Sequence, residues 1–244
     1  MKEIRTAAPA RAGLLGNPSD GYYGRTLAVA VQNFQAEAFL HESQKMVIHP
    51  PAEDEPLYDH PAHFLEEVTT YGYYGGLRLI KAALKVFFDY YYRQHKSLPR
   101  KNFSLEYRTT IPRQVGLGGS SAIITAVMKA LQQFYELEIP REYLPTLILA
   151  AEREELGINA GFMDRVVQVY EGCVYMELEA ELIKQRGYGR YESLDPDLLP
   201  PLYLAYRPTL GKISGRVLND IRLGYERGDP LVVSTLRKIA SLAK

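Results

Sequence analysis

The segment Pro112-Arg-Gln-Val-Gly-Leu-Gly-Gly-Ser-Ser-Ala122 constrains this chain more than any other stretch. Glycines stand at 116, 118 and 119, hydroxyls at Ser120 and Ser121, and an apolar run with helical spacing follows. Without a Cβ, glycine lets a loop turn tightly and lets its backbone approach a ligand. The helix start behind the loop offers unpaired N–H groups and the positive end of a dipole, and both favour an anion. A phosphate chain uses all of these features and leaves a serine hydroxyl to reach its metal ion. The segment predicts a nucleotide user, and specifically a kinase. Two familiar phosphate motifs do not account for it. The P-loop needs a lysine after its last glycine, whereas here Ser120-Ser121-Ala122 follows, and G-x-G-x-x-G fails because Ser121 holds its sixth position.

The order of elements predicts an α+β architecture. Residues 3–8 read as a short strand and 13–24 as a turn-rich segment. Thr26–Leu40 reads as one or two strands, and residues 50–63, with four prolines, as a loop. Leu77, Ile80, Leu84, Phe87, Phe88 and Tyr91 fall at helical spacing over 77–92. Phe103, Leu105, Tyr107, Thr109 and Ile111 alternate as a half-buried strand does, and deliver the chain into the glycine loop. Helices are expected over 120–136, about 141–156, 213–227 and 230–243, and strands over Gly172–Glu179 and Leu202–Tyr206.

Charge narrows the partners. Lysine plus arginine and aspartate plus glutamate both number 29, which gives no electrostatic case for nucleic acid or an anionic membrane. The N-terminus lacks the apolar stretch of a secretory signal and no run approaches membrane-spanning length, so a cytoplasmic location is expected. The single cysteine, Cys173, lies in an apolar run and reads as a buried structural thiol. The tyrosine patches at 71, 73 and 74 and at 90–92 have the chemistry to stack on a sugar or base, but packing on a helix flank is the favoured reading.

Two further segments carry chemistry. In Pro9-Ala-Arg-Ala-Gly-Leu-Leu-Gly-Asn-Pro-Ser-Asp20, Arg11 and Asp20 bracket a turn. Arg11 can supply a cation to a transferring phosphoryl group and Asp20 can accept hydrogen bonds from sugar hydroxyls. In the segment 151–165, Glu152 stands near a helix end and Asp164 follows a glycine-broken turn twelve residues later. One carboxylate can hold Mg²⁺ while the other takes or orients a hydroxyl proton.

Together the three segments resemble the signatures of the GHMP kinases, the superfamily of galactokinase, homoserine kinase, mevalonate kinase and phosphomevalonate kinase. The loop is similar to P-x-x-x-G-L-G-S-S-A, with Gly119 where the first serine is usual, and GFMDR is similar to G-x-M-D. The resemblance implies Asp164 and Arg11 as catalytic residues. It implies Pro112, Gly116, Leu117, Gly118, Gly119, Ser120, Ser121 and Ala122 around ATP, with Mg²⁺ between Ser120 and Glu152. A sugar would meet Arg11, Asn17, Asp20 and Asp164; Asn17-Pro18 replaces the Glu-His of galactokinases, which argues against galactose. The segments ARAGLLGNPSDGYYGRT, IPRQVGLGGSSAI, LGINAGFMDRVVQVYEG and LLPPLYLAY resemble the glucuronokinase branch, which phosphorylates D-glucuronate at its anomeric hydroxyl. Arg25, Arg113 and Arg165 are the candidates for the uronate carboxylate. A kinase of another sugar (heptose, arabinose, galacturonate) and a non-catalytic nucleotide-binding module are the alternatives. Oligomeric state is left open.

The resemblance implies a two-domain fold: a ribosomal protein S5 domain 2-like ATP-binding domain over 1–190 and the start of a ferredoxin-like domain over 191–244. The family's third glycine-rich signature is not found after residue 190, and the chain stops at Lys244 in an expected helix. A truncated second domain with an exposed apolar helix face is therefore expected.

Overall fold

A computed structural model of the chain describes residues 3–51, 61, 62, 65, 75–97, 99–206 and 213–243, with backbone alone for 213–218. A six-stranded sheet is built around one long strand. Strand β1 (Ile4–Leu15) runs antiparallel to β2 (Arg25–Ser43), whose 19 residues form a single strand. The other edge of β2 is shared: β3 (Val47–His49) and β4 (Asn102–Thr109) extend the sheet beside its C-terminal half. Strands β5 (Cys173–Glu177) and β6 (Arg190–Leu194) extend it beside the N-terminal half. The helices are α1 (Gly76–His95), α2 (Gly119–Tyr135), α3 (Leu144–Ala150), α4 (Met163–Tyr170) and α5 (Ala180–Arg186), followed by α6 (Ile213–Glu226) and α7 (Pro230–Ser241).

Small residues bring helix and sheet close together. Ala8 and Ala10 of β1, Ala36 and Ala38 of β2, and Ala122, Ala126 and Ala130 of α2 are all fully buried in one core. The three helical alanines recur every four residues, so they share one face. Three polar bonds tie this helix down. Thr6 Oγ1 donates to the Ala126 carbonyl at 2.6 Å, and Lys129 Nζ donates to the carbonyls of Ala7 and Gln168 at 3.2 and 3.1 Å. Helix α1 adds Leu79, Ile80 and Phe87, and β4 adds Phe103, Leu105 and Tyr107, all buried. The glycine loop that links β4 to α2 thus joins two rigid elements.

Several expectations change. The first strand continues to Leu15 through Pro9 and Gly13, because its register shifts at Pro9/Ala10 and Gly13/Leu15 absorb these residues. The second helix of the core ends in a π turn, Ala151–Glu155, after only seven α-helical residues. The stretch Leu202–Tyr206 is not a strand: Pro200 and Pro201 lead into it, and Tyr203 is 95% exposed. The sheet reaches Leu194, past the expected domain boundary at 190, because β6 pairs with β5. Among the described residues, those beyond β6 form a 3-10 turn and α6 and α7; Leu236 of α7 is buried. Tyr90 and Tyr91 pack on Tyr143 and Tyr135 as helix-flank residues, while Tyr71, Tyr73 and Tyr74 and most of the expected 50–63 loop lie outside the described residues. Cys173 is buried, and burial raises its thiol pKa, as suits a structural thiol. No helix among the described residues is long and apolar enough to cross a membrane.

The close approach of α2 to the sheet has a direct test. Ala126→Leu inserts three carbons where the Thr6 hydroxyl meets the helix backbone. It should lower stability by about 1–3 kcal/mol in urea unfolding.

Candidate active site

Arg11 and Asp164 meet across 153 residues of sequence. Arg11 stands on β1, and Asp164 lies in the first turn of α4, where the helix dipole favours a carboxylate. The guanidinium grips the carboxylate as a fork, Nε to Oδ1 at 2.6 Å and Nη2 to Oδ2 at 2.7 Å. The remaining Nη1 donates to the Gly116 carbonyl, and the Arg11 backbone N–H donates to the Leu117 carbonyl at 3.1 Å. The same residue therefore holds the carboxylate and the glycine loop. Burial pushes the Asp164 carboxyl pKa upward, but Arg11 and then Arg165 outweigh it, and the result lies below the ordinary range.

The loop takes its shape from glycine. Gln114, Gly116 and Gly118 have φ of 58°, 81° and 75°. A Cβ on Gly118 would stand 2.9 Å from Gln168 Nε2, 3.2 Å from Asp164 Oδ2 and 3.3 Å from Arg11 Cγ. Gln168, fully buried on α4, donates from Nε2 to the Gly118 carbonyl at 2.8 Å. Gly119, where the related motif carries serine, has only ordinary contacts around a Cβ, the nearest at 3.5 Å from Ile111.

Two buried carboxylates, Asp20 and Glu152, line the same cavity as this loop and Asp164. Asp20 lies in a 3-10 turn, Ser19–Tyr22, and its Oδ2 accepts from the Met163 N–H at 3.0 Å. A Cβ on Gly161 would lie 2.0 Å from that oxygen, so the turn at 161 has to be glycine. Burial raises the Asp20 carboxyl pKa to about 6 despite the Met163 N–H. Glu152 stands on the π turn, a helix irregularity that re-aims side chains. Its Oε2 accepts from both Nε and Nη2 of Arg165, the former at 2.7 Å. Burial raises its carboxyl pKa even with this partner.

A 560 Å³ cavity collects the expected site residues. Its wall includes Arg11, Asn17, Asp20, Glu152 and Asp164 together with the loop from Pro112 to Ser121. Ala122 departs from expectation: it is fully buried on the core side of α2, and its N–H bonds the Gly118 carbonyl. The Ser121 hydroxyl likewise serves the loop, donating to the Gly118 carbonyl at 3.0 Å. Of the three candidate arginines, Arg25 pairs with Glu177 and Glu179, outside the cavity wall. Arg165 is engaged by Glu152, and Arg113 lines the cavity. Gln168 and the Glu152–Arg165 pair were not anticipated from sequence, since they join positions 50 and 13 residues apart. From the other side, α6 contributes Ile221 to the wall, and its Tyr225 stacks at a tilt on Tyr22, ring centroids 4.7 Å apart.

The glycine loop at the start of a helix and the arginine-forked aspartate thus share one cavity. Residues 78–172 match the family described as GHMP kinases N terminal domain. The chain is 42% identical over 238 residues to Glucuronokinase 1 of Arabidopsis thaliana and 44% identical over 239 residues to Probable glucuronokinase 2 of the same plant. Each alignment takes in 96% of this chain and 65% of the relative, so the chain spans just under two thirds of their length. The fold is similar to that of Streptococcus pneumoniae phosphomevalonate kinase, with a TM-score of 0.63 at 15% identity, over 99% of this chain and 74% of that one. Over these spans the chain is similar to GHMP kinases in sequence, and it shares their fold.

Two substitutions test this geometry. Gly118→Ala forces a side chain into a left-handed position against Gln168 and Asp164, and should cost about 1–3 kcal/mol in denaturant unfolding. Asp20→Asn should act through pH. A carboxyl raised by folding stabilises the fold while protonated, and that contribution disappears as pH rises through about 6. Thermal melts should therefore show Asp20→Asn more stable than the parent well above pH 6, by on the order of 3 kcal/mol at most, with the gain vanishing in acid.

Proposed function

We propose that the protein is an ATP-dependent sugar kinase that phosphorylates the anomeric hydroxyl of a uronic acid, D-glucuronate. The observation that carries this reading is the forked Arg11–Asp164 pair set directly beneath the glycine loop in a shared cavity. The identity to two glucuronokinases over almost all of this chain supports the choice of sugar. Residues 1–190 would form the ATP-binding domain and 191–244 the start of a second, with β6 completing the first sheet.

In this mechanism the loop backbone of 116–121 and the start of α2 hold the phosphates. Asp20 and Asn17 hold sugar hydroxyls, and Arg113 is the cavity cation suited to a uronate carboxylate. Asp164 accepts a hydrogen bond from the anomeric hydroxyl and directs its oxygen at the γ-phosphorus. Its lowered proton affinity suits an orienting acceptor, with the hydroxyl proton passing to the Asp164 carboxylate late, after the O–P bond begins to form, and from there to water. The bond from γ-phosphorus to the bridging oxygen breaks, and ADP departs with the electron pair. Arg11 offsets charge that develops on the transferring group while keeping Asp164 ionised.

Mg²⁺ fits the donor set. The Ser120 hydroxyl and the Glu152 carboxylate are hard oxygen ligands on one cavity wall. No cluster of three His, Cys, Asp or Glu able to hold a metal occurs among the described residues, so phosphate oxygens and water would complete the sphere. When bound, the ion would neutralise phosphate charge.

A coupled ADP-release assay over a sugar panel tests the proposal, together with Asp164→Asn. Turnover on glucuronate is expected, falling at least about a hundredfold in the variant with little change in KM. Turnover only on heptose, arabinose or galacturonate would replace the substrate, and near-parental activity in Asp164→Asn would overturn the role of that residue.

A further inference from the structure

Arg165 makes more polar contacts within this site than a substrate receptor needs. It is 4% exposed, and its guanidinium contacts two carboxylates and a backbone carbonyl. Nε and Nη2 both donate to Glu152 Oε2 on the π turn. Nη1 donates to the Gly161 carbonyl at 2.8 Å and lies 3.6 Å from Asp164 Oδ2. Gly161 in turn lies close beside Asp20, so one side chain ties together the surroundings of all three carboxylates. Both contacts to Glu152 fall on the same oxygen, which leaves Oε1 to accept a further partner.

We infer that Arg165 is a positioning residue: it clamps Glu152 by one oxygen so that the other meets the cation carried by the nucleotide. This inference rests on the kinase reading above, though its test needs no turnover. Charge explains why a clamp is required. Three carboxylates share the site with Arg11 and Arg165, and Arg11 is committed to Asp164. That leaves Arg165 as the guanidinium that holds Glu152, with both of its bonds on one oxygen and its third nitrogen on the Gly161 carbonyl. Arg165 therefore fixes the Glu152 rotamer, and it is not the receptor for the sugar carboxylate.

Calorimetric titration of the whole chain with a non-hydrolysable ATP analogue, with and without Mn²⁺, reads this directly. In the parent, Mn²⁺ should tighten analogue binding. Arg165→Lys keeps the charge but loses the fork, and should lose about tenfold or more of that metal-dependent gain while metal-free binding holds within about threefold. Glu152→Gln should lose the same increment, and the double variant should lose no more than either single one. Arg165→Met should behave like Arg165→Lys or worse; if it does not fold, the lysine and glutamine variants carry the test. An intact metal increment in folded Arg165→Lys would overturn the inference. So would a loss confined to glucuronate affinity. A failure of the sugar assay with these binding results intact would remove the proposed substrate and leave the clamp standing.

Discussion

The fork between Arg11 and Asp164 is the interaction on which the rest of the site depends. Two parallel N–H to oxygen bonds fix orientation as well as charge, which a single contact or a lysine cannot do. The third guanidinium nitrogen bonds the glycine loop, so the position of the loop and that of the aspartate are set by one side chain. Removing either partner would leave a mostly buried charge uncompensated, a cost of about 3–5 kcal/mol for such pairs. The alanine-lined contact between α2 and the sheet serves the same end, because it brings the start of that helix within reach of β1.

Three carboxylates at one site have different proton affinities, and the environment of each accounts for the difference. Asp164 has a guanidinium on both oxygens and is held low. Asp20 has one backbone N–H and is pushed up to about 6 by burial. Glu152 is raised by burial against the pull of Arg165. A division of labour follows. Under the proposed mechanism, the low-affinity carboxylate would orient a hydroxyl, the one near 6 would bind sugar hydroxyls, and the one clamped by arginine would present a single oxygen to a cation.

Most of the residues that meet in the cavity were legible in the sequence because they sit in three short segments whose residue types have few other uses. Strand β4 and helix α2 were equally legible, since clean alternation gives way to helical spacing across the loop. Strand β1 was cut short because its alanines, Pro9 and Gly13 carry little hydrophobic alternation; small residues are there to let α2 approach. Helix α4 was missed because it has only eight residues and begins two positions after Gly161. The clamps were out of reach for another reason. Gln168 and Arg165 look like ordinary polar positions on a short helix, and only the fold brings them to Gly118 and Glu152. Leu202–Tyr206 shows the reverse error, an apolar pattern after two prolines that pairs with no strand among the described residues.

The central claim is that Arg11 and Asp164 act as one unit in phosphoryl transfer. A kinetic double-mutant cycle with Arg11→Met, Asp164→Asn and the double variant, read as kcat with glucuronate and ATP, measures this most directly. If the two act as a unit, the double variant should be no slower than the slower single variant, within about threefold. Rate losses that multiply across the cycle would contradict the claim and separate the arginine from the aspartate in function.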